Sequence, residues 1–240
     1  GYTTQRVKND MQYMCDNYFN RANYYRIDGR PIVVIALTRV LERHEALADV
    51  ISIMRSIDGC DPYLIGDHAF QLAPDIGHQS VAFDSLDAIT NHDVYGGMMT
   101  VDNYVGEDTI ENYYLEQSNW KLHTVLSKIG FIPSVTPGFN NRAFDPQSSL
   151  TPMARKLTSL SDSGSTFRFA LGEARRQVTQ GTNNLLLVNS FNHWIDDTQI
   201  EPVTGAPLSG VESLTQGIDY EAYREQYLNI LNERTEGQMR

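Results

Sequence analysis

The sequence predicts an α/β fold in which parallel strands alternate with helices. Two short uncharged segments, 32–37 and 184–189, are rich in Val, Ile and Leu and are predicted to be strands, and 32–37 has the composition of a strand buried on both faces. The segment 4–19 carries apolar residues at three- and four-residue spacing, which is typical of an amphipathic helix. Because alternating strands and helices favour right-handed crossovers between parallel strands, we expect one parallel sheet with helices packed on it.

The first half of the chain contains three predicted strands and two predicted helices. The strand at 32–37 follows the turn-forming Asp28-Gly29 pair, and Gly59 stands where the helix after that strand ends. Short apolar segments that end in Gly or Asp supply the other two strands. The predicted elements are helix 4–19, strand 32–37, helix 39–57, strand 63–66 and strand 80–84.

The second half contains two further strands and three helices. Gly130 ends a long helix, and the strand after it contains Pro133, which has no N–H to donate. A segment rich in Ser, Pro and Asp, 140–164, is predicted to form a long loop. The predicted elements are helix 107–129, strand 131–135, helix 166–179, strand 185–190 and helix 219–233.

Five parallel strands are too few to close a (β/α) barrel. An eight-stranded barrel of the TIM type has about 250 residues, and helix 4–19 stands where the helix after a third strand belongs. The alternative is an open doubly wound sheet, but no glycine-rich phosphate loop follows any strand. We therefore expect the C-terminal portion of a barrel, about five of eight strands, as one incomplete domain over 1–240. The strand at 32–37 then has an open apolar edge. We expect this edge either to pair with another polypeptide that supplies the missing strands or to make the isolated chain unstable and prone to aggregation.

The charge of the chain limits its partners. The net charge of −11 leaves no basic surface to neutralise the phosphates of a nucleic acid, and anionic membranes are disfavoured for the same reason. No apolar run approaches the roughly 20 residues of a membrane span. A neutral partner such as an oligosaccharide or polysaccharide is compatible with this charge, and 13 Tyr residues offer flat faces for sugar rings.

Cys15 and Cys60 leave two alternatives open. Their spacing matches no redox motif, and two cysteines alone cannot form a zinc site. They are either buried free thiols or one disulfide formed in an oxidising compartment. No cofactor motif or metal-ligand spacing is present, so neither a cofactor nor a metal is expected. The expected location is secreted, periplasmic or cell-surface.

Polar side chains follow the predicted strands where the mouth of a barrel lies. In parallel α/β folds the functional residues gather at the C-terminal ends of the strands, so we expect His193, Asp196, Asp84 and Asp67 to line one cleft. The densest stretch is 189–201, which places acidic, amide and imidazole side chains around one Trp. Each candidate has a structural alternative, such as capping a helix, forming a turn or packing in the core. The candidate substrate-binding residues are Asp67, His68, Asp84, His92, Tyr95, Asn140, Arg142, Asn192, Trp194, Gln199 and Glu201.

Four segments resemble the family 99 glycoside hydrolases and their bacterial relatives, in the same order along the chain. Asn192-His193-Trp194-Ile195-Asp196, followed by Thr198-Gln199-Ile200-Glu201-Pro202, is similar to the family signature Asn-Glu-Trp-His-Glu and Thr-Gln-Ile-Glu-Pro. The other three segments are Tyr24 to Pro31, Thr136 to Arg142, and Thr215 to Tyr220 together with Tyr227-Leu228. The resemblance covers about residues 10–235 and implies a (β/α) barrel that acts on α-mannosides.

The resemblance assigns catalysis to two positions at which this sequence differs from the family. His193 stands at the first signature glutamate and Asp196 at the second. The family glutamates are implied to deprotonate the sugar 2-hydroxyl and to protonate the leaving oxygen. Asp196 keeps an acidic group on a side chain one methylene shorter, a loss of roughly 1.5 Å in reach. Histidine can act as a base near neutral pH, so the chemistry is altered rather than removed.

Three classes of function follow from these residues. The first is a glycoside hydrolase or transglycosylase that cleaves α-mannoside-type bonds with Asp196 as acid and His193 as base. The second is a carbohydrate-binding pseudoenzyme that keeps the sugar site without turnover. The third is a structural or assembly protein that uses the barrel as a scaffold, since a fold does not fix a function. The retained signature residues around Trp194 favour a sugar site.

Overall fold

A computed structural model describes residues 4–98, 100, 102–204, 212–215, 218 and 220–235. Contacts between residues divide the chain into two compact units. Unit 1 is drawn from 1–91, 119–132 and 179–185, and unit 2 from 92–118, 133–178 and 186–240. The longest helix, α6 (Gly106–Ser127), contributes residues to both. None of the helices within the described ranges is both long and apolar enough to cross a membrane.

Unit 1 contains a five-stranded sheet in which four strands run parallel in sequence order. The strands β2 (Arg30–Ile35), β3 (Tyr63–Asp67), β4 (Ala88–Thr90) and β5 (Gly130–Ile132) pair in that order. A short strand, β1 (Arg26–Ile27), adds an antiparallel edge to β2. All five residues of β3 are buried, as expected for the central strand of a parallel sheet. This order confirms the predicted α/β fold.

The helices of unit 1 cover the sheet with apolar faces. Helix α1 (Thr4–Met14), continued by a π-helical turn at Cys15–Phe19, packs on α3 (Leu47–Arg55). The buried side chains of α3, such as Leu47 and Ile51, recur at three- and four-residue spacing and join one core with Leu64 of β3. Each such fully buried side chain stabilises the fold by roughly 1.5–3 kcal/mol. The shorter helices of this unit are α2 (Thr38–Arg43) and α4 (Val81–Ser85), with a 3₁₀ turn at Gln180–Thr182.

Unit 2 has a smaller sheet and a separate apolar core. Its two strands, β6 (Ser134–Val135) and β7 (Leu187–Val188), are parallel. The core gathers side chains from the first half of α6 and from the helices that follow, including the fully buried Ile110, Phe167 and Tyr227. The remaining helices of unit 2 are α5 (Val94–Met98), α7 (Ser165–Arg175), α8 (Glu212–Thr215) and α9 (Gln226–Thr235), with a 3₁₀ turn at Trp194–Asp196.

The strand predicted at 80–84 is wrong, because these residues begin helix α4 instead. The Ser80 hydroxyl accepts a hydrogen bond from the Ala82 N–H at 3.2 Å, which caps the first turn of the helix. The Glu42 carboxylate accepts a second one from the Val81 N–H at 2.5 Å. The strand of this region is β4, which begins at Ala88, eight residues after the predicted start.

Four other elements have bounds that differ from the prediction. The helix predicted at 39–57 is interrupted between α2 and α3, where Glu45 takes a left-handed conformation with φ of 57°. The strand predicted at 131–135 divides at Pro133, which cannot donate to a ladder, into β5 and β6. The strand predicted at 185–190 shrinks to the two residues of β7. The last helix begins at 226 rather than 219, and residue 219 itself lies outside the described residues.

The free edge of β2 carries exposed apolar side chains. The hairpin strand β1 pairs only with Arg30 and Pro31 of β2. Beyond that pairing, Val34 is 46% exposed, and Leu37, after the strand, is 48% exposed. These side chains agree with the open apolar edge expected at 32–37.

A disulfide fastens helix α1 to the segment before β3. Cys15 and Cys60 are bonded, with their Cα atoms 6.0 Å apart, and the cross-link closes a sequence separation of 45. Of the two alternatives for the cysteines, the structure therefore shows the disulfide.

Replacing Cys15 and Cys60 together by Ser is expected to lower the free energy of unfolding. Closing a loop of 45 residues corresponds to about 4 kcal/mol of chain entropy in the unfolded state, within the roughly 2–5 kcal/mol seen for native disulfides. Urea unfolding followed by circular dichroism measures the difference. The parent with added reductant is the control and should match the double variant. A parent whose unfolding midpoint is unchanged by reductant would contradict the cross-link.

Candidate functional site

The loop 189–201 of unit 2 closes on itself through main-chain hydrogen bonds. The Ser190 N–H donates to the Thr198 carbonyl at 2.9 Å, and the Ile200 N–H donates back to the Ser190 carbonyl at 3.0 Å. The Ser190 hydroxyl also accepts from the His193 N–H at 2.9 Å. The 3₁₀ turn Trp194–Asp196 therefore stands at the tip of a loop whose two ends are fixed to each other.

The loop brings together the two residues predicted to be catalytic. His193 Nδ1 lies 3.3 Å from Asp196 Oδ2, and the two side chains are 49% and 35% exposed. Residues three apart are eclipsed in a 3₁₀ turn, so this turn places both side chains on one side. An exposed pair contributes at most about 1 kcal/mol to stability, so folding alone gives little reason for it. A basic and an acidic group in contact can exchange a proton with a bound molecule.

Asn140 ties the 136–142 segment to this loop. Its main-chain N–H donates to the Asp196 carbonyl at 2.8 Å, which fixes the backbone beneath the acid. Its buried side-chain amide donates to the Leu214 carbonyl at 2.9 Å and to the Tyr220 hydroxyl at 2.7 Å. The Arg142 N–H donates to Asn140 Oδ1 at 3.0 Å. Asn140 therefore positions the loop, whatever else it binds.

A buried arginine, Arg155, holds the C-terminal side of the loop. Its Nη2 donates to the carbonyls of Asp197 and Gln199, each at 2.9 Å, and to Asp197 Oδ1 at 3.1 Å. The guanidinium carbon lies 5.0 Å from the ring centre of Tyr223 and 4.8 Å from that of Tyr227. Three oxygens and two aromatic faces thus surround one cation.

The electrostatics of this contact explain why a charge is tolerated in the interior. Burial by itself would lower the pKa of Arg155, but the Asp197 carboxylate and the two tyrosines outweigh it and raise that pKa. Asp197 turns its side chain toward Arg155 from a left-handed conformation with φ of 51°, which Asp tolerates better than most residues. No sequence signal marked Arg155, since it lies in the segment predicted to be a long loop.

Three apolar side chains near the His193–Asp196 pair in sequence are exposed. Phe191 is 54% exposed, Trp194 64% and Ile195 46%. An exposed Trp excludes the core-packing alternative considered for Trp194. Beside it lies a cavity of about 230 Å³, of a size for one sugar ring, with walls that are mostly apolar. The residues that line it are Asn140, Ala143, Trp194, Asp197, Leu214, Thr215 and Tyr220.

Two further predicted residues of unit 2 have structural contacts. The ring of Tyr95 stacks on Phe139 with 3.7 Å between centroids, and its hydroxyl donates to the Thr151 carbonyl at 2.6 Å. Burial raises the pKa of Tyr95, with a smaller contribution from Asp93. Gln199 Nε2 donates to Asp197 Oδ1 at 3.0 Å, which places it in the support of the loop.

The other predicted residues of unit 2 contribute mainly through their backbone. The exposed His92 offers its carbonyl to the Asn189 side chain at 2.6 Å. Asn192, at the exposed tip, accepts from the Trp194 N–H at 3.2 Å through its carbonyl. The Glu201 N–H donates to the Phe191 carbonyl at 2.8 Å, and its side chain is partly buried.

Asp67, in unit 1, is a buried structural acid. It is 2% exposed, and its Oδ2 accepts from the Leu37 N–H at 3.0 Å and from Arg39 Nη1 at 2.8 Å. These bonds fix the turn after β2 to the end of β3. The predicted position of Asp67 at the end of a strand is confirmed. Its contact with a substrate stays a prediction.

His68 is also buried and faces a cavity of about 280 Å³ within unit 1. Its Nε2 lies 3.3 Å from Glu42 Oε2, and its Nδ1 lies 3.4 Å from the Thr38 hydroxyl. Burial lowers the pKa of His68, and Arg39 adds to that effect, although Glu42 opposes it. No group of three His, Cys, Asp or Glu side chains in the described part of the chain could hold a metal ion.

Asp84 does not lie at the C-terminal end of a strand, the position for which it was predicted to bind substrate. It is exposed on helix α4, ahead of β4, rather than at the C-terminal end of a strand. The strand pattern misled the prediction because Ser80, which caps the helix, was taken as the first strand residue. Whether His193, Asp196, Asp84 and Asp67 share one cleft stays a prediction.

The fold is similar to that of part of several glycoside hydrolases of known structure. A glycoside hydrolase-like protein matches with a TM-score of 0.62 and 22% identity, over 96% of this chain and 61% of that one. The GH99 endo-α-mannosidase from Bacteroides thetaiotaomicron matches with a TM-score of 0.62 and 19% identity, over 100% of this chain and 65% of that one. The same enzyme in complex with BIS-TRIS-propane gives 0.60 and 20%, over 99% and 68%.

These comparisons confirm the resemblance to family 99 at the level of the fold. This chain spans 61–68% of the length of the proteins it matches. Neither a protein-family model nor a curated protein sequence matches it.

The buried His68 is expected to make stability depend on pH. Its pKa is lowered in the folded state, so the unfolded chain binds the proton more tightly. The stability that neutral His68 contributes is present above about pH 6.5 and is lost as pH falls through its lower folded value. Urea unfolding at about pH 7.5 and about pH 5.5 should show a smaller loss for His68→Gln than for the parent. The exposed His44→Gln is the matched control, and equal losses in all three proteins would contradict the prediction.

Removing the guanidinium of Arg155 is expected to loosen the loop 189–201. Arg155→Met leaves the partly buried Asp197 carboxylate, 19% exposed, without its cation, which costs about 3 kcal/mol of unfolding free energy, the lower end of the range for a buried pair. Arg155→Lys keeps the positive charge but not the planar guanidinium, so the free energy of unfolding should fall by less than in Arg155→Met. Urea unfolding and limited proteolysis of the loop measure both effects. Arg176→Met, at an exposed arginine of the same unit, is the control and should change the free energy of unfolding by less than about 0.5 kcal/mol. An Arg155→Met protein as stable as this control would show that Arg155 does not hold the loop.

Proposed function

We propose that this chain is part of a family-99-like glycoside hydrolase barrel and that it holds an α-mannoside-type glycan at the loop 189–201. The observation that carries the proposal is the His193–Asp196 contact at 3.3 Å beside a cavity walled by an exposed Trp194. An acid, a base and an aromatic face stand together at the end of a strand, where parallel α/β folds place their chemistry.

The aromatic wall supports a sugar as the ligand. A pyranose has an apolar face of C–H groups that packs on an indole, while its hydroxyls need donors and acceptors at the edge. In the cavity, Asn140, Asp197 and Tyr220 supply polar groups for the sugar hydroxyls. Burial, followed by the nearby Asp197, raises the pKa of Tyr220, so its hydroxyl stays protonated. The fold neighbours include an endo-α-mannosidase, which supports an α-mannoside as the first ligand to test.

The acid–base pair supports hydrolysis or transglycosylation. In the proposed step His193 takes the proton of the sugar 2-hydroxyl, and the freed oxygen attacks the neighbouring anomeric carbon. The bond to the leaving oxygen breaks, and that oxygen takes a proton from Asp196. Water, or the hydroxyl of a second sugar, then attacks the anomeric carbon and gives its proton to Asp196. The bond from that carbon to the 2-oxygen breaks, and His193 returns its proton to this oxygen, which regenerates the 2-hydroxyl. His193 replaces a glutamate in the first role.

A pseudoenzyme is the second candidate, and the same contact favours it. His193 Nδ1 lies on the Asp196 carboxylate, so the two groups satisfy each other before any sugar binds. An acid one methylene shorter than glutamate also stands further from a leaving oxygen, and misplacement of about 1 Å costs about a hundredfold in rate. Such a protein keeps the glycan site and loses turnover.

The proposal of a barrel also concerns the strands that this chain does not contain. The parallel order β2 to β5 supports a sheet continued by further strands at the β2 edge, where apolar side chains are exposed. Another polypeptide segment would supply those strands and complete one domain. The disulfide supports a secreted, periplasmic or cell-surface location, since such bonds persist in oxidising compartments.

Glycan binding is expected to change the fluorescence of Trp194. The chain has two Trp residues, and the other, Trp120, is 6% exposed. Titration with α-linked manno-oligosaccharides should shift or quench the parent signal, while Trp194→Phe should lose the response and most of the affinity measured by calorimetry. Trp120 then serves as the internal control. If calorimetry shows saturable binding while the fluorescence of Trp194 does not change, the sugar binds elsewhere.

Turnover separates the two candidates. If the chain is a hydrolase, Asp196→Asn should abolish the release of reducing sugar and leave affinity nearly unchanged, because the amide keeps the shape but donates no acidic proton. His193→Glu should then raise activity toward α-mannosides. A parent that binds without turnover, with affinity unaltered in Asp196→Asn, is the pseudoenzyme. If the parent neither binds nor cleaves any of these glycans, the sugar proposal fails and a scaffold remains.

A further inference from the structure

His193 stands in a tight turn of the main chain within the loop 189–201. Its φ is −86° and its ψ is 83°, and the Trp194 N–H donates to the Asn192 carbonyl at 3.2 Å. A hydrogen bond that spans three residues around angles close to these is the mark of an inverse γ-turn. The residue proposed as the base therefore has a main-chain conformation that its neighbours in the loop must hold.

Packing holds the side chains of the proposed acid and base only weakly. His193 and Asp196 are 49% and 35% exposed, and exposed side chains change rotamer rapidly. The distance between the two side chains therefore depends on the main chain beneath them. On the side of the acid, the Asn140 N–H donates to the Asp196 carbonyl at 2.8 Å. The main chain of His193 needs a support of its own.

Two hydroxyl groups contact both main-chain polar groups of His193. The His193 N–H donates to Ser190 Oγ at 2.9 Å. The Thr198 hydroxyl donates to the His193 carbonyl at 3.4 Å, and the Thr198 N–H donates to the same carbonyl at 3.4 Å. Ser190 Oγ and Thr198 Oγ1 lie 3.0 Å apart. Because Thr198 is 4% exposed, its hydroxyl is bonded within the protein rather than to bulk water.

These three hydroxyl contacts can form at the same time in only one direction. A carbonyl oxygen only accepts, so the Thr198 hydroxyl donates its proton to His193 and must accept from Ser190. The Ser190 oxygen, whose proton points to Thr198, then accepts from the His193 N–H. The result is a closed chain of hydrogen bonds that begins and ends at His193. Since the bonds of such a chain polarise one another, removing one hydroxyl weakens the rest.

We propose that Ser190 and Thr198 are positioning residues, whose hydroxyls hold the main chain of His193 so that its ring stays at Asp196. This inference rests on the proposed function, in which His193 is the base. Both hydroxyls act through His193 and not on the sugar. The cavity beside Trp194 is lined by other residues, so removing either hydroxyl leaves the proposed sugar contacts in place.

The first test needs no substrate. Hydrogen exchange of the His193 N–H, followed by NMR, should be more than about fivefold faster in Thr198→Val, although its acceptor Ser190 is unchanged. The nuclear Overhauser contact between the His193 ring and the Asp196 methylene group should weaken in the same variant. Thr198→Ser keeps the hydroxyl and should match the parent in both measurements. Thr158→Val is the matched control, since it removes an exposed hydroxyl that bonds to a neighbouring serine elsewhere in unit 2.

A second variant keeps this test decisive. Circular dichroism shows whether each protein is folded, and Ser190→Ala replaces Thr198→Val if the latter is not. In Ser190→Ala the His193 N–H loses its acceptor, so the same two changes are expected. Exchange and ring contact equal to those of the parent would overturn the proposal. A lower free energy of unfolding without either change at His193 would show that the hydroxyls only stabilise the fold, and would overturn it as well.

The next test divides binding from turnover. With α-linked manno-oligosaccharides, Thr198→Val and Ser190→Ala should lower kcat by about tenfold or more and leave KM within about twofold of the parent. The reason is that a displaced base slows the reaction while the sugar contacts remain. Turnover in the parent with a normal kcat in both variants would refute the positioning role. A parent without turnover refutes the hydrolase instead, and the exchange and ring measurements then decide on the two hydroxyls.

Discussion

The candidate site depends on one buried cation. Arg155 gathers the carbonyls of Asp197 and Gln199 and the Asp197 carboxylate on one nitrogen, between two tyrosine rings. A charge in this position is stable only if all three oxygens stay in place, so the arginine dictates the path of the chain after Asp196. The exposed pair at the tip is thereby held by an interior contact, and the exposed and buried parts of the loop have separate tasks.

Unit 1 uses the same principle for its acids. Asp87 is held by Arg30 at 2.6 Å, by Arg55 at 2.8 Å and by the Leu64 N–H at 2.8 Å. Burial would raise the pKa of Asp87, but these donors, with Arg30 the largest, lower it overall. Asp67 is bound by Arg39 in the same manner. The carboxylates of Asp67 and Asp87, at the end of β3 and just before β4, are therefore each neutralised by arginine.

The sequence could not distinguish an acid that is bound by an arginine, such as Asp67, from an acid at an exposed site, such as Asp196. The parallel order of strands followed from buried apolar segments such as 32–37, and the His193–Asp196 contact followed from a motif only four residues long. Arg155 and Asp197 escaped notice because their contact depends on long-range packing of a segment without periodicity. The strand predicted at 80–84 is a helix because Ser80 caps its first turn and because Glu42, distant in sequence, accepts from the Val81 N–H. Propensity is weaker than a well-placed hydrogen bond over so short a segment.

The cross-link between Cys15 and Cys60 has a practical consequence for anyone who produces this protein. Helix α1 is held to the rest of unit 1 by its packing on α3 and by that covalent bond. A bacterial cytosol keeps thiols reduced, so chains made there would rely on packing alone. Expression with export to an oxidising compartment, or oxidative refolding, would supply material in which the first helix stays attached.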